Sequence, residues 1–146
     1  RTPKTVPGVA CHAGPEGLDA VLARSEILVL LLPATPETES LMDAARLARL
    51  PEGAALLNPG RGTLIDDAAL IAALDGGHLS HAVLDVFREE PLPADHPFRA
   101  HPKITVTPHI ASVTRPETAA AALAEQLGRL ARGEPLRHVV DRARGY

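Results

Sequence analysis

Three short stretches of the sequence carry side chains that could together bind an anion and transfer a proton. They span residues 58–61, 85–90 and 109–112. The first ends in the guanidinium of Arg61, the second contains carboxylates, and the third begins with the imidazole of His109. An arginine presents a rigid fork of donors that suits a planar carboxylate. Gathered in one crevice, these groups form an acid and anion-binding set.

The turn around Arg61 has a second interpretation when it is taken by itself. An arginine in a glycine-rich turn also serves to pair with a neighbouring acid or to keep a loop in solvent. The functional interpretation requires that the three stretches meet in the fold. The strands and helices that carry them decide whether they do.

Apolar runs and helical patterns alternate along the chain, which is typical of an α/β fold with a doubly wound parallel sheet. Strands are predicted at residues 27–32, 54–57, 82–87 and 104–106. Helices are predicted at 17–24, at 43–50, from an N-cap at Asp66 to Gly76, and at 114–132, the last with a capping box of Thr114 and Glu117. The continuously apolar run 27–32 predicts a central strand that is covered on both faces.

The three polar stretches follow the carboxyl ends of three different predicted strands. In open parallel sheets these ends lie along one edge, and the crevice beyond that edge binds ligands. The pattern therefore predicts that the guanidinium, the carboxylates and the imidazole converge. The sequence contains no Gly-x-Gly-x-x-Gly, so spacing alone does not indicate a dinucleotide.

Composition narrows the partners. Of the 146 residues, 45% are hydrophobic and 23% are charged, and the formal net charge of −3 argues against nucleic acid or an anionic membrane as the main partner. No apolar run approaches the length of a membrane span. One cysteine, Cys11, fits a reducing compartment, and a cytoplasmic location is predicted. No metal site is predicted, since the remaining histidines lack ligand spacing; they are His12, His78, His81, His96, His101 and His138.

The three stretches together resemble the signatures of NAD(P)-dependent D-2-hydroxyacid dehydrogenases. The matching segments are Asn58-Pro59-Gly60-Arg61-Gly62, Leu84-Asp85-Val86-Phe87-Arg88-Glu89-Glu90-Pro91 and Thr107-Pro108-His109-Ile110-Ala111. Segments 1–4, 90–93, 113–116 and 140–146 are most similar to the glyoxylate/hydroxypyruvate reductase A group. The resemblance implies an oxidoreductase that reduces a small 2-keto acid, glyoxylate or hydroxypyruvate, to the D-2-hydroxy acid.

The resemblance also implies roles for three residues. Arg61 matches the arginine that holds the carboxylate and keto oxygen of the substrate, in the bidentate geometry that an α-keto acid offers. His109 matches the general acid, which gives a proton to the keto oxygen during reduction and acts as base in the reverse direction. Glu90 matches the carboxylate that orients this imidazole and stabilises its protonated form.

Five further positions match the family's cofactor contacts: Arg1, Pro33, Pro59, Asp85 and Ser112. Arg1 falls just beyond the second strand of the dinucleotide fold, where an arginine neutralises a 2′-phosphate. NADP(H) is therefore the expected cofactor, with NAD(H) as the alternative. For the other four positions, a loop cap, turn punctuation or an ordinary turn hydroxyl is the competing interpretation.

The resemblance covers only part of the family's architecture. Residues 1–112 match the C-terminal part of a Rossmann-like NAD(P)-binding domain, and residues 113–146 match a crossover helix and tail that return toward the substrate domain. The front half of the fold and most of the substrate domain precede the matched part, so we expect the isolated 146-residue chain to be inactive. Relatives form dimers, and the alanine-rich segment 119–122 would allow close approach of a second subunit.

Two alternatives to the glyoxylate/hydroxypyruvate assignment remain open at this point. One is an NAD-linked D-2-hydroxyacid dehydrogenase that acts on phosphoglycerate or another acid. The other is a non-catalytic, nucleotide-sensing protein-binding module of the corepressor type. Arg99 departs from the reductase A pattern, which often has tryptophan there, and this departure leaves the substrate preference open.

Overall fold

The structure is a computed structural model that describes residues 4–143. Its four strands form one parallel sheet in the order β1-β2-β3-β4, with bounds β1 Ile27–Val29, β2 Ala54–Asn58, β3 Leu79–Leu84 and β4 Ile104–Val106. The helices are α1 Gly14–Leu22, α2 Ala44–Leu47, α3 Asp67–Asp75 and α4 Pro116–Ala131. Short 3₁₀ turns occur at Gly62–Leu64 and Pro97–Arg99. The predicted α/β class with a parallel sheet is confirmed.

One face of the sheet carries the hydrophobic core. Strand register pairs Leu28 with Leu56 and Leu56 with Ala82, so these buried residues point to the same side. Helices α1 to α3 each contribute leucines to the same cluster, namely Leu22, Leu47, Leu70 and Leu74. Because aromatic residues are scarce, the core consists mainly of aliphatic side chains. Phe98 is the only aromatic among the buried core residues of 4–143.

The predicted central strand 27–32 is wrong in two respects. β1 is only three residues long and lies at an edge of the sheet, and its burial alternates, with Ile27 66% exposed while Leu28 is buried. A continuous apolar run indicates potential burial on both faces, but burial needs a packing partner on each face. Within residues 4–143, the second face of β1 has none that buries it.

Two other predicted boundaries need correction. β3 was predicted at 82–87 and lies at Leu79–Leu84, because Asp85 and Val86 stay buried after the chain has left the ladder. An apolar pattern indicates which residues are buried, and here burial continues beyond the last backbone hydrogen bond of the strand. The predicted capping box at Thr114 is also wrong, since α4 has Arg115 as N-cap without a side-chain bond and Pro116 in its first turn.

The caps of α3 follow the prediction. The Asp66 side chain accepts a hydrogen bond from the Ala69 amide at 3.0 Å, and Gly76 caps the other end. α4 has the predicted leucine stripe but buries none of its residues within the described chain. In residues 4–143, no helix has the length and hydropathy needed to cross a membrane.

Candidate active site

Arg61 lies in a turn built by a buried asparagine. Asn58 ends β2 with 1% of its surface exposed, and its Nδ2 donates to the Arg61 carbonyl at 2.8 Å. Its Oδ1 accepts from the Gly60 amide at 3.1 Å. The Arg61 guanidinium is exposed and makes one bond, from Nη1 to the Gly60 carbonyl at 2.7 Å. Among residues 4–143 no carboxylate forms an ion pair with Arg61, which leaves most of its donor fork for a ligand.

The turn of Arg61 packs directly against the loop that follows β3. A Cβ at Gly62 would lie 2.0 Å from the carbonyl carbon of Phe87 and 2.2 Å from its oxygen. Only glycine allows the two backbones to approach this closely. The segment that carries Arg61 and the segment that carries Glu90 are therefore in contact through their main chains.

Arg88 adds polar contacts across the same boundary. Its Nε and Nη2 donate to the Ile65 carbonyl at 3.2 and 2.6 Å. Its Nη1 forms an ion pair with Glu39 at 2.6 Å, and its Nη2 donates to Ser40 Oγ at 2.8 Å. One side chain thus joins the loops that follow β1, β2 and β3. A charged group that bonds to backbone carbonyls in this way fixes the separation of the loops.

His109 and Glu90 are in direct contact. The Nδ1 atom of His109 lies 2.7 Å from Glu90 Oε2, and the other carboxylate oxygen accepts from the Phe87 amide at 2.9 Å. The hydrogen bond with His109 and the bond from Phe87 lower the pKa of the Glu90 carboxyl, burial opposes them, and the charges of His109 and Arg61 lower it further. Glu90 is therefore ionised at neutral pH and can only accept from the ring.

That ionisation determines the hydrogen position on the imidazole. Since an ionised carboxylate has no hydrogen to donate, Nδ1 of His109 carries one. The opposite nitrogen, Nε2, is then the atom left to exchange a proton with a ligand. His109 has a φ of 54°, in the left-handed region that residues other than glycine rarely adopt, so the surrounding chain must hold it there.

Asp85 holds the segment around His109. It is 4% exposed, and its Oδ1 accepts from Thr107 Oγ1 at 2.5 Å and the Ile110 amide at 2.9 Å, while Oδ2 accepts from the Ala111 amide at 2.9 Å. The Asp85 carbonyl also accepts from the His109 amide at 2.9 Å. Burial raises the pKa of the Asp85 carboxyl, but bonds from Thr107, Ala111 and Ile110 outweigh it, and the net pKa is lowered.

The other predicted cofactor positions are distributed along the same sheet edge. Pro33 follows β1 and is exposed, Pro59 follows β2 and is half-buried, and Ser112 is exposed after β4. Asp85 follows β3, but all of its described contacts are internal, so its contact with a cofactor stays a prediction. Arg1 lies outside the described residues.

Three residues with structural roles in the site were not singled out by the sequence. Asn58 builds the turn of Arg61, Arg88 joins three loops, and Thr107 donates to Asp85. Asn58 had a visible signal, since asparagine before Pro-Gly favours a side-chain-bonded turn. Arg88 and Thr107 had none, because their partners are more than twenty residues away in the sequence.

The chain is similar to a known protein family and to several solved structures. Residues 4–111 match the model of the D-isomer specific 2-hydroxyacid dehydrogenase NAD-binding domain. A D-isomer specific 2-hydroxyacid dehydrogenase from Xanthobacter autotrophicus Py2, solved with NADPH and MES, shares 52% identity over 100% of this chain, with a TM-score of 0.95. The NADPH-dependent glyoxylate/hydroxypyruvate reductase from Sinorhizobium meliloti, solved with NADP and sulfate, shares 37% identity over 100% of this chain, with a TM-score of 0.93.

The matches differ in how much of each solved protein they cover. The chain spans 60% of the Xanthobacter protein in its NADPH complex and 48% of the Sinorhizobium reductase. A probable 2-hydroxyacid dehydrogenase from Rhizobium etli CFN 42, at 39% identity and a TM-score of 0.88, is covered to 47%. With a family model over more than half of its length and solved relatives over all of it, the chain belongs to the D-isomer specific 2-hydroxyacid dehydrogenase family.

Proposed function

We propose that the protein carrying this chain uses NADPH to reduce a small 2-keto acid, glyoxylate or hydroxypyruvate, to the 2-hydroxy acid, which for hydroxypyruvate has the D configuration. The observation that carries the proposal is the contact of 2.7 Å between His109 Nδ1 and Glu90 Oε2, next to the loop that packs against the turn of Arg61. When one nitrogen of an imidazole is hydrogen-bonded to a carboxylate, the other nitrogen can act as a general acid or base. Arg61, which has no ion pair within residues 4–143, binds the carboxylate of the substrate.

Arg61 binds and orients the keto acid. One bond to the Gly60 carbonyl fixes the guanidinium and leaves the other donors to meet the carboxylate and the keto oxygen. Binding on this fork holds the keto carbon at a fixed distance from His109, which lowers the entropic part of the barrier. The nearby positive charge also stabilises the negative charge that develops on the keto oxygen.

His109 moves the proton. In the direction of reduction, the protonated ring donates from Nε2 to the keto oxygen as that oxygen becomes a hydroxyl. Glu90 keeps its negative charge and accepts the hydrogen bond from Nδ1, which fixes the orientation of the ring. In the direction of oxidation, the neutral ring takes the proton back from the hydroxyl. Positioned acid–base catalysis of this kind contributes about 10²- to 10⁴-fold in rate.

The described residues fit one end of a nicotinamide dinucleotide, which supplies the hydride when it is bound. A Cβ at Gly60 would lie 2.8 Å from the Leu30 carbonyl, so this glycine lets the Pro59 loop approach the segment after β1 closely. Pro33, Pro59 and Ser112 border that sheet edge and would line the nicotinamide end. Asp85 keeps the loop after β4 in place. A glycine-rich phosphate loop is absent from the 146 residues.

The same proposal includes the domain roles of the chain and the location and oligomeric state of the whole protein. Residues 1–112 act as the C-terminal part of the NAD(P)-binding domain and 113–146 as a crossover helix and tail. Arg1 binds the 2′-phosphate of the cofactor. The whole protein is a cytoplasmic homodimer, and the 146-residue chain alone has no turnover. NADPH bound to the Xanthobacter relative and NADP bound to the Sinorhizobium reductase support the cofactor choice.

Replacing His109 by Asn in the whole protein tests the proposal. We expect kcat with glyoxylate and NADPH to fall by about 10²- to 10⁴-fold, because Nε2 is the only proton donor assigned to the keto oxygen. The dissociation constant for NADPH, measured by fluorescence titration, should change by less than about threefold, which corresponds to less than 1 kcal/mol.

The chain offers a matched control in a second histidine–carboxylate contact. His101 Nε2 lies 3.2 Å from Asp75 Oδ1, close to the amino end of β4 and therefore at the opposite edge of the sheet. His101→Asn should leave kcat unchanged. A His109→Asn enzyme with full activity would contradict the assigned acid.

Rates with NADH and with phosphorylated substrate decide between the enzyme alternatives. Equal or faster oxidation of NADH than of NADPH would count against the role of Arg1 and favour an NAD-linked relative. Oxidation of phosphoglycerate in preference to reduction of glyoxylate would identify that substrate instead. Tight NADPH binding without turnover of any small keto acid would favour the protein-binding module.

A further inference from the structure

A second cation lies beside the candidate catalytic pair. His109 and Glu90 form part of the wall of a cavity of about 600 Å³, and Arg99 lines the same cavity. The remaining lining residues are apolar: Phe87, Pro91, Leu92, Val106 and Pro108. Arg99 is exposed, so its guanidinium is open to an anion that enters the cavity.

Arg99 is fixed in place but its charge is not neutralised. Its Nε donates to the Pro93 carbonyl at 2.8 Å and its Nη2 to the Leu92 carbonyl at 2.6 Å. Carbonyl oxygens orient the guanidinium without cancelling its charge. Within residues 4–143, no carboxylate forms an ion pair with Arg99. The two bonds leave Nη1 to donate to a further group.

The cavity and Arg61 border the catalytic pair separately. Arg61 is not part of the cavity wall, although its charge acts on Glu90. Because His109 and Arg99 line the same cavity, that cavity offers space beside the catalytic pair for the rest of a longer keto acid held by Arg61 and His109.

We propose that Arg99 forms a subsite for a second anionic group on the substrate, so that the preferred substrates are 2-keto acids with a carboxylate or phosphate at the far end. This inference rests on the proposed function, because it assumes that the reacting head lies between Arg61 and His109. A short keto acid without a second charged group, such as glyoxylate, binds through its head alone and gains nothing from the subsite. The apolar cavity walls accept the methylene groups between the two ends.

Pairs of keto acids matched in chain length test the subsite in the whole protein. 2-Oxoglutarate is compared with 2-oxopentanoate, and 3-phosphohydroxypyruvate with hydroxypyruvate, so that the two arms distinguish a carboxylate from a phosphate. In at least one pair, the wild type should show a higher kcat/KM for the member that carries a second anionic group. Arg99→Gln should reduce that preference by about tenfold or more, the effect of losing one charge-assisted hydrogen bond.

Two further variants separate charge from loop structure. Arg99→Lys keeps the charge but loses the fork that binds the Leu92 and Pro93 carbonyls, so it should retain part of the preference if Arg99 contacts substrate. If Arg99 only holds the loop in place, the Lys and Gln variants should lose the same amount of activity, and the loss should be equal for both members of a pair. Arg49→Gln is the control, since Arg49 pairs with Asp19 on α1, away from the cavity, and should leave the preference unchanged.

The outcomes distinguish this proposal from the proposed function. Reduction of glyoxylate by a wild type without preference in either pair, or an unchanged preference in Arg99→Gln, would overturn the subsite alone. Absence of turnover with every keto acid would overturn the proposed function. In that case calorimetric titration with glutarate and pentanoate decides on the subsite, which requires tighter binding of glutarate that is lost in Arg99→Gln.

Discussion

The loops beyond β2, β3 and β4 differ from helix α4 in how each region is held. The loops interlock through main-chain contact at Gly62 and through the buried Asp85 carboxylate, which collects three hydrogen bonds. Within residues 4–143, α4 makes its own helical bonds and a few contacts with the following segment, and its leucines 123, 127 and 130 are 57–62% exposed. The first region is determined by partners within the chain.

This difference shows what an amphipathic pattern does and does not determine. The same spacing of apolar residues in α3 and α4 leads to buried leucines in α3 and exposed ones in α4. Spacing selects the face that would be buried, but the free energy comes from removing that face from water. Substitutions in the two regions should therefore differ in effect, and the contrast can be measured on the 146-residue chain.

The largest contrast should appear between two leucines. Leu84 in β3 is 1% exposed, and Leu84→Ala should lower the free energy of unfolding by about 4 kcal/mol, because it removes buried surface and leaves a cavity. Leu127→Ala in α4 should change it by less than about 0.5 kcal/mol. Urea unfolding followed by circular dichroism measures both. A loss of more than 2 kcal/mol in Leu127→Ala would mean that α4 is packed in solution.

Two glycines give the next contrast. Gly62→Ala should lower the free energy of unfolding by about 3 kcal/mol. Its Cβ would overlap the backbone of Phe87, and the overlap can be relieved only if a main chain moves. Gly128 lies inside α4, and a Cβ there would meet only the flexible end of Arg132 at 3.2 Å. Gly128→Ala should therefore stabilise by about 0.5–1 kcal/mol through helix propensity.

Thermal unfolding of both glycine variants tests the comparison. Gly62→Ala should melt at a lower temperature than the wild type and Gly128→Ala at a higher one. In the whole protein, Gly62→Ala should also raise the KM for the keto acid, since the turn of Arg61 must move. Equal melting temperatures for the two variants would break the comparison.

Asp85→Asn should lower the free energy of unfolding by less than Leu84→Ala or Gly62→Ala does, by about 2 kcal/mol at pH 7. The amide keeps the shape of the side chain but has one acceptor oxygen in place of two, so a buried donor from Thr107, Ile110 or Ala111 loses its partner. Chemical unfolding at pH 7 measures the loss. An Asp85→Asn chain as stable as the wild type would mean that these bonds form without the charge.

The pH dependence of this difference has a definite sign. The pKa of Asp85 is lower in the folded chain than its ordinary value, so its contribution is fully present above the ordinary pKa of about 3.9 and is lost as the pH falls through the folded pKa. The stability difference between wild type and Asp85→Asn should therefore narrow as the pH falls below about 4. A difference that stays constant to pH 3 would contradict the assignment.

Local signals in the sequence predicted the elements whose causes are local. The N-cap at Asp66 and the glycines that end α3 act within one helical turn, and both are found. The contact between His109 and Glu90 was expected from the resemblance, and the geometry brings the two together. The predicted cap at Thr114 was wrong because Pro116 stands in the first turn and moves the start of the helix.

The amino-acid sequence by itself determined the order of strands and helices, the parallel sheet, and the edge at which the polar stretches meet, because periodicity and strand direction are properties of neighbouring residues. Only the tertiary structure decided that Asp85 faces inward to hold the His109 segment and that Arg99 shares a cavity with His109 and Glu90. These outcomes depend on which distant segments occupy each side of a residue, and burial and hydrogen bonding are set by that occupancy.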